Sequence, residues 1–181
     1  MRIGILTDIH ANREAFAAVL ADLATRQIDQ LVFLGDLVGY GPDLDWCLDQ
    51  VEDLVSKGAL CVRGNHDRYW PTPEDKLSEP ARKLVDWTVN RLNARQRLFL
   101  SELPLTVQIE DILFVHASAH APQDWNYVKD CDSAKLGFAA TNARWIICGH
   151  AREAALFHQD DAGQVTAQNV AAGAEKSLDQ G

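Results

Sequence analysis

The chain opens with short apolar runs separated by longer segments in which apolar residues recur every three or four positions. Residues 2–7, with Ile3, Ile5 and Leu6, read as a buried strand. In 13–27, Phe16, Val19, Leu20 and Leu23 keep helical spacing behind Asn12, a good N-cap. Residues 31–34 form a second apolar run. It leads into Gly35-Asp36 and a glycine-rich loop ending at Gly41-Pro42. Asp43 then caps a helix through Leu48, Val51, Leu54 and Val55, and Gly58 closes it as glycines do just past a helix end. Residues 60–62 are a third strand, followed at once by Gly64-Asn65-His66-Asp67.

The pattern then changes. Prolines punctuate 71–80, which reads as a loop. Residues 81–92 and 94–101 read as helices with Trp87 and Leu98 on their buried faces. Strands at 105–109 and 112–115 are split by Glu110-Asp111, a hairpin turn, and His116 follows directly. A short helix is expected over 132–140, and a strand over 145–148 that ends in Gly149-His150. Segments 154–158 and 164–170 are expected to pair as a hairpin. Residues 171–181 read as a flexible tail. Helices alternate with strands early, and the strands crowd together later. That predicts an α/β layered fold with a mixed sheet, as one domain over 1–170.

Composition narrows the function. The 181 residues are 47% hydrophobic and 24% charged, which suits one soluble domain with a sizeable core. No apolar run approaches the roughly 20 residues a membrane span needs. The first run is too short for a signal-peptide core. A cytoplasmic protein without a membrane partner is expected. The formal charge of −9 argues against a nucleic-acid polymer as partner, because phosphate-backbone contact needs a basic face. A small phosphorylated substrate remains compatible, since a metal cluster reverses the local potential. Cys47, Cys61, Cys131 and Cys148 form no C-x-x-C pair and read as reduced core thiols.

The chemistry follows from position. Nearly every expected strand is followed by a residue able to bind metal: Asp8 and His10, then Asp36, Asn65 and His66, His116, and His150. In open α/β sheets, ligands bind beyond the carboxyl ends of the strands. Residues scattered along the sequence would therefore converge. One carboxylate and one imidazole suit a borderline divalent ion. Asp36 has two oxygens and could bridge two ions, while Asn65 offers a neutral carbonyl oxygen. Two ions about 3.5–4 Å apart can clamp the attacking and leaving oxygens of a phosphoryl displacement and make a hydroxide from bound water. Each motif alone also fits an ordinary turn or a core histidine. Their succession, each at the end of an apolar run, favours a metal site.

Asp8-Ile9-His10-Ala11-Asn12, Gly35-Asp36, Gly39-Tyr40-Gly41-Pro42, Gly64-Asn65-His66-Asp67, His116 and Gly149-His150 together resemble the calcineurin-like metallophosphoesterases. The flavour is that of small bacterial and archaeal phosphodiesterases, with some likeness to diadenosine-tetraphosphatase-type enzymes. The resemblance implies a sandwich of two mixed sheets flanked by helices. It implies one or two divalent ions, drawn from Mn²⁺, Fe²⁺, Zn²⁺, Ni²⁺ and Mg²⁺. Asp8, His10 and Asp36 would hold a first ion. Asp36, Asn65, His116 and His150 would hold a second. His66 would bind the phosphate or protonate the leaving oxygen. Asp67 and Arg152 join it as catalytic candidates.

The chain departs from that pattern in two places. The family's last motif is usually Gly-His-x-His, and here it is Gly149-His150-Ala151-Arg152. A guanidinium has no lone pair to give a metal. Three arrangements are open: a weakened first site completed by water, a single metal with Arg152 charging the substrate side, or an Arg152 that points away. Second, Ala171-Ala172-Gly173-Ala174 stands where relatives continue through an Asn-Pro-Gly-Ser-like turn into another strand. An uncovered sheet edge invites pairing, so a homodimer is expected. The leading function is hydrolysis of small phosphodiesters or phosphomonoesters. The alternatives are a catalytically weakened relative that binds a phospho-ligand or a protein, and a dinucleoside polyphosphate hydrolase. A protein serine/threonine phosphatase is disfavoured, because the loop after Gly35-Asp36 carries Gly39 where those enzymes have an acid. Trp70, Trp125 and Tyr127 are candidates for stacking on a base.

Overall fold

The computed structural model describes residues 1–68 and 78–174. Trp70, residues 71–77 of the proline-rich stretch and 175–181 of the expected tail lie outside them. Three parallel strands, β1 (Ile3–Leu6), β2 (Gln30–Phe33) and β3 (Leu60–Cys61), form the first sheet in that order. Helices α1 (Arg13–Ala24) and α2 (Leu44–Ser56) make the crossovers. The Asn12 side chain accepts the Ala15 N–H at 3.0 Å and so starts α1. Asp43 precedes α2 without a side-chain cap. Helices α3 (Glu79–Arg91) and α4 (Ala94–Glu102) follow. The second sheet sets β4 (Thr106–Ile109) antiparallel to β5 (Ile112–Val115), and β5 parallel to β6 (Trp145–Cys148). Helix α5 (Cys131–Ala139) lies before β6. The expected hairpin is present as β7 (Ala155–Gln159) and β8 (Val165–Asn169).

Alternation along β2 divides the interior. Val32 and Leu34 pack with Val62, Ile112 and Phe114 between the two sheets. Phe33 points the other way, onto Phe16, Leu44, Leu48, Val51 and Leu100 beneath the helices. Each such large buried side chain contributes roughly 1.5–3 kcal/mol. The result is the expected α/β sandwich of two sheets flanked by helices. The first sheet is all parallel and only the second is mixed. Among the described residues β1 is an edge of its sheet, and Ile5 on it is 41% exposed. No helix among them is long and apolar enough to cross a membrane.

Two expectations fail on helix phase. Trp87 and Leu98 are 39% and 57% exposed. In α3 the inward stripe runs through Leu84, Val85, Thr88 and Val89, and in α4 it runs through Gln96, Phe99 and Leu100. Each misplaced residue lies beside its stripe. The cysteines divide as well: Cys47 and Cys61 are buried, Cys131 is half-buried and Cys148 is exposed.

Candidate metal centre

The parallel strands β1, β2, β3, β5 and β6 all end at one rim of the sandwich, and the loops leaving them carry the polar residues. Asp8, His10, Asp36 and His150 adopt left-handed backbone, with φ between 48° and 63°. Such conformations cost about 1–3 kcal/mol each in a non-glycine residue and persist where surrounding contacts hold them. Asp67 supplies the contacts for Asp36. Its buried carboxylate accepts the N–H groups of Asp36 and Leu37 at 2.8 Å, Gly64 at 2.9 Å and Val38 at 3.2 Å. Gly64 is a close approach: a Cβ there would lie 2.2 Å from Asp36 Oδ1. Only a residue without a side chain lets the two loops meet.

On one side of the rim four donor atoms converge. His116 Nε2 lies 3.2 Å from Asn65 Oδ1, 3.1 Å from His150 Nδ1 and 3.4 Å from Asp36 Oδ2. Bonds of about 2.1 Å place neighbouring ligands roughly 3.0–3.4 Å apart around a divalent ion, which is this spacing. His116 Nδ1 donates to the Leu34 carbonyl at 2.6 Å, so the Nε2 lone pair is the one presented. Asp36 Oδ1 accepts the His66 N–H at 2.9 Å. Its Oδ2 is buried and has no hydrogen-bond partner. A buried carboxylate oxygen left without a partner is costly and calls for a cation. The Asp36 carboxyl is lowered despite its burial, chiefly by the neighbouring His116 imidazole 3.4 Å away.

The other side is already engaged. Arg152 donates through Nε to Asp8 Oδ1 at 3.1 Å, and a terminal N–H meets His10 Nε2 at 2.5 Å. Arg152 also lies over the Tyr40 ring, 5.4 Å from its centroid. Asp8 Oδ2 accepts the Thr7 hydroxyl at 2.6 Å and the His150 N–H at 3.2 Å. Burial would raise the Asp8 carboxyl. Hydrogen bonds involving His10, Thr7, Arg152 and the His150 amide outweigh it and hold Asp8 well below the usual carboxylate range. His10 Nδ1 lies 3.0 Å from the Val38 carbonyl and donates to it, so Nε2 is the acceptor that Arg152 meets.

His66 sits between these halves and a cavity of about 610 Å³. Its ring meets those of His10 and Tyr40 at 5.0 and 4.8 Å between centroids. Burial lowers its pKa and Asp36 offsets part of that, so the imidazole is neutral near pH 7. Gly39 lies against it: with φ +89°, a Cβ there would come 2.8 Å from His66 Nδ1. Leu84, Val85 and Val89 of α3 form the apolar wall of the cavity, with Tyr40 and Trp125 beside them. Tyr127 stacks on His150, 4.1 Å between centroids and 16° between planes. The Trp125 backbone hydrogen-bonds His150.

A family model for the calcineurin-like phosphoesterases matches residues 1–151. The chain belongs to that family. The uncharacterized protein MJ0912 of Methanocaldococcus jannaschii is 33% identical over 132 residues, which are 70% of this chain and 53% of that protein. The chain thus spans about half the length of that curated relative. A metallophosphoesterase from Sphaerobacter thermophilus superposes with a TM-score of 0.73 at 33% identity, covering 93% of this chain and 69% of that one. PH1004 from Pyrococcus horikoshii OT3 shares the fold, with a TM-score of 0.69 at 16% identity, over 93% and 87% of the two chains.

The calcineurin-like phosphoesterase family uses divalent metals. In this member the donors of Asp36, Asn65, His116 and His150 fit one ion, because a buried, unpartnered oxygen stands among them. The Asp8–His10 pair is also within ligand distance of Asp36, but Arg152 takes its acceptor atoms. Of the residues singled out from sequence, all six metal candidates, His66 and Arg152 come together. Asp67 is adjacent but turned into the loop amides. Thr7, whose hydroxyl donates to Asp8, carries no signal in the sequence that marks it as a partner. Tyr127, expected as a candidate for stacking on a base, stacks on His150.

Proposed function

We propose that this protein is a metal-dependent phosphoesterase acting on small phosphodiesters or phosphomonoesters. The observation that carries the reading is the orphaned Asp36 Oδ2, set among His116 Nε2, Asn65 Oδ1 and His150 Nδ1. These four residues would hold a divalent ion, and the chemistry it would supply is polarisation of a phosphoryl oxygen and a more acidic water.

The chain's own groups do the rest. Neutral His66 faces the cavity and donates an N–H to a phosphoryl or leaving-group oxygen. Arg152 is half exposed, and the N–H groups not committed to Asp8, His10 and Tyr40 can meet an anionic oxygen. Asp67 touches no substrate and positions the Asp36 loop. Leu84, Val85, Val89 and Trp125 give the leaving group an apolar, partly aromatic wall. That wall favours an aryl or nucleoside leaving group and keeps dinucleoside polyphosphates as the second reading. The open β1 edge supports pairing with a second copy, and a light-scattering mass equal to one chain would remove that idea.

The test is hydrolysis of an aryl phosphodiester, an aryl phosphomonoester and a dinucleoside polyphosphate by metal-stripped protein, with Mn²⁺ titrated back. Metal-dependent turnover that disappears in Asp36→Asn is the expected result. A folded protein inactive on all three at every metal concentration would overturn the enzyme reading in favour of a phospho-ligand-binding relative.

A further inference from the structure

We propose that Arg152 is a built-in cation that takes the place of one of two metal ions, so that the centre accepts a single divalent ion. This rests on the metal-dependent reading above. The geometry behind it is specific. A cation held by Asp8 and His10 needs the Asp8 Oδ1 lone pair and the His10 Nε2 lone pair. The guanidinium occupies both, through Nε at 3.1 Å and a terminal N–H at 2.5 Å. His10 has no other acceptor to offer, because its Nδ1 hydrogen is given to the Val38 carbonyl. The second oxygen of Asp8 already serves Thr7 and the His150 amide.

The guanidinium is also fixed in place. Tyr40 lies under it, and Asp8, the carboxylate it pairs with, is only slightly exposed. A guanidinium stays protonated and has no lone pair, so Arg152 cannot swing in as a ligand. It can only compete with an ion for the same acceptors and repel it. Asp36 Oδ2 lies 3.6 Å from His10 Nε2 and 3.4 Å from His116 Nε2. A carboxylate shared between two ions would stand in this place. Here it stands between one ion site and a site whose ligands hold a guanidinium. The phosphoryl group would then meet a divalent ion on the His116 side and a fixed monovalent, planar donor on the Asp8 side. The terminal N–H groups left over from Asp8, His10 and Tyr40 suit that role.

The measurement is the number of Mn²⁺ ions bound per chain of metal-stripped protein, by calorimetric titration and metal analysis, together with the electron paramagnetic resonance spectrum. Wild type should saturate at one ion and give the six-line signal of isolated Mn²⁺. Arg152→His and Arg152→Ala should each take up a second ion and show exchange coupling, since either change frees Asp8 and His10. If Arg152→His does not fold, Arg152→Ala carries the comparison, with circular dichroism as the check on folding. Two ions in wild type would overturn the inference and leave the metal-dependent reading intact. Variants that fold and still stop at one ion would overturn it too. No ion in wild type would remove both this inference and the reading it rests on.

Discussion

The Asp36 backbone N–H donates to Asp67 Oδ2 at 2.8 Å, which ties the proposed metal ligand to a carboxylate 31 residues away in the chain. Three more amides of the two loops donate to the same carboxylate. Burial and the nearby Asp36 charge both push the Asp67 carboxyl upward, and these amides oppose them. Replacing Asp67 with Ala leaves four buried N–H groups unpaired. An unsatisfied buried donor costs about 1–3 kcal/mol, and relaxation and water entry recover part of the sum, so a loss of about 3–5 kcal/mol is expected. Urea unfolding of Asp67→Ala checks it, with Mn²⁺ affinity expected to fall alongside. A midpoint within experimental error of wild type would show that the loop holds itself.

Asp36 behaves differently, because its buried Oδ2 has no hydrogen-bond partner. Asn at this position removes a buried charge and also relieves Asp67. Metal-stripped Asp36→Asn should therefore be as stable as wild type or about 1 kcal/mol more stable. It should lose the rise in melting temperature that Mn²⁺ gives wild type. Thermal unfolding with chelator and with Mn²⁺ reads both effects. An Asn variant that gains as much from Mn²⁺ as wild type would place the ion elsewhere.

The site was legible because its chemistry is punctuated by strand ends. Asp8, Asp36, Asn65, His116 and His150 each follow an apolar run, and parallel strands must bring such positions to one rim. Partnership across the chain was not legible. Gly-Asn-His-Asp looks like a turn, and nothing local says that Asp67 faces the loop at 35–38. Arg152 reads as unable to bind metal, but the sequence leaves three placements open, and its contacts with Asp8 and His10 remove only the one in which it points away. Trp87 and Leu98 show the limit of helix periodicity. Apolar character placed them inside, whereas Thr88 and Gln96 are buried instead, satisfied by bonds to the Leu84 carbonyl and to Asp45.

Tyr127 offers a test of support at a distance from the substrate. It stacks on His150 and is covered by Lys129, whose Nζ is 4.3 Å from its ring centroid. Tyr127→Ala frees the His150 ring to rotate. Supports of metal ligands typically contribute 10–100-fold in metal affinity, and a loss in the lower part of that range is expected at this half-exposed position. Titration of Mn²⁺ into metal-stripped Tyr127→Ala measures it. Tyr127→Phe should retain the stack and the affinity. Weakening by both variants alike would point to the hydroxyl instead.

Gly39 tests the placement of His66. Its φ of +89° already disfavours a side chain, and a Cβ would sit 2.8 Å from His66 Nδ1. Gly39→Ala should cost about 1–2 kcal/mol in stability. It should also lower kcat by about tenfold or more, because a displaced imidazole no longer reaches the phosphoryl oxygens. Steady-state kinetics beside a denaturation curve separates the two effects. Full activity with lowered stability would remove His66 from the reaction.

The lowered pKa of His66 makes a signed prediction for pH. Burial lowers the folded value below the usual histidine value of about 6.5, partly against Asp36. The unfolded chain therefore binds more protons than the native one between the folded value and 6.5, and stability rises with pH in that window. As pH falls from 7 through 6.5 the metal-stripped protein should lose stability through this group, at no more than about 1.4 kcal/mol per pH unit for one proton. His150 is lowered too and adds to the slope. His116 is raised, against its burial, by the neighbouring Asp36 carboxylate and acts against the slope. Comparing wild type with His66→Asn, each stripped of metal, isolates the His66 share, because the other two imidazoles are common to both. Urea midpoints from pH 5.5 to 7.5 should fall more steeply towards acid in wild type than in the variant. Parallel curves would mean that His66 titrates alike folded and unfolded, and so is not held neutral by burial.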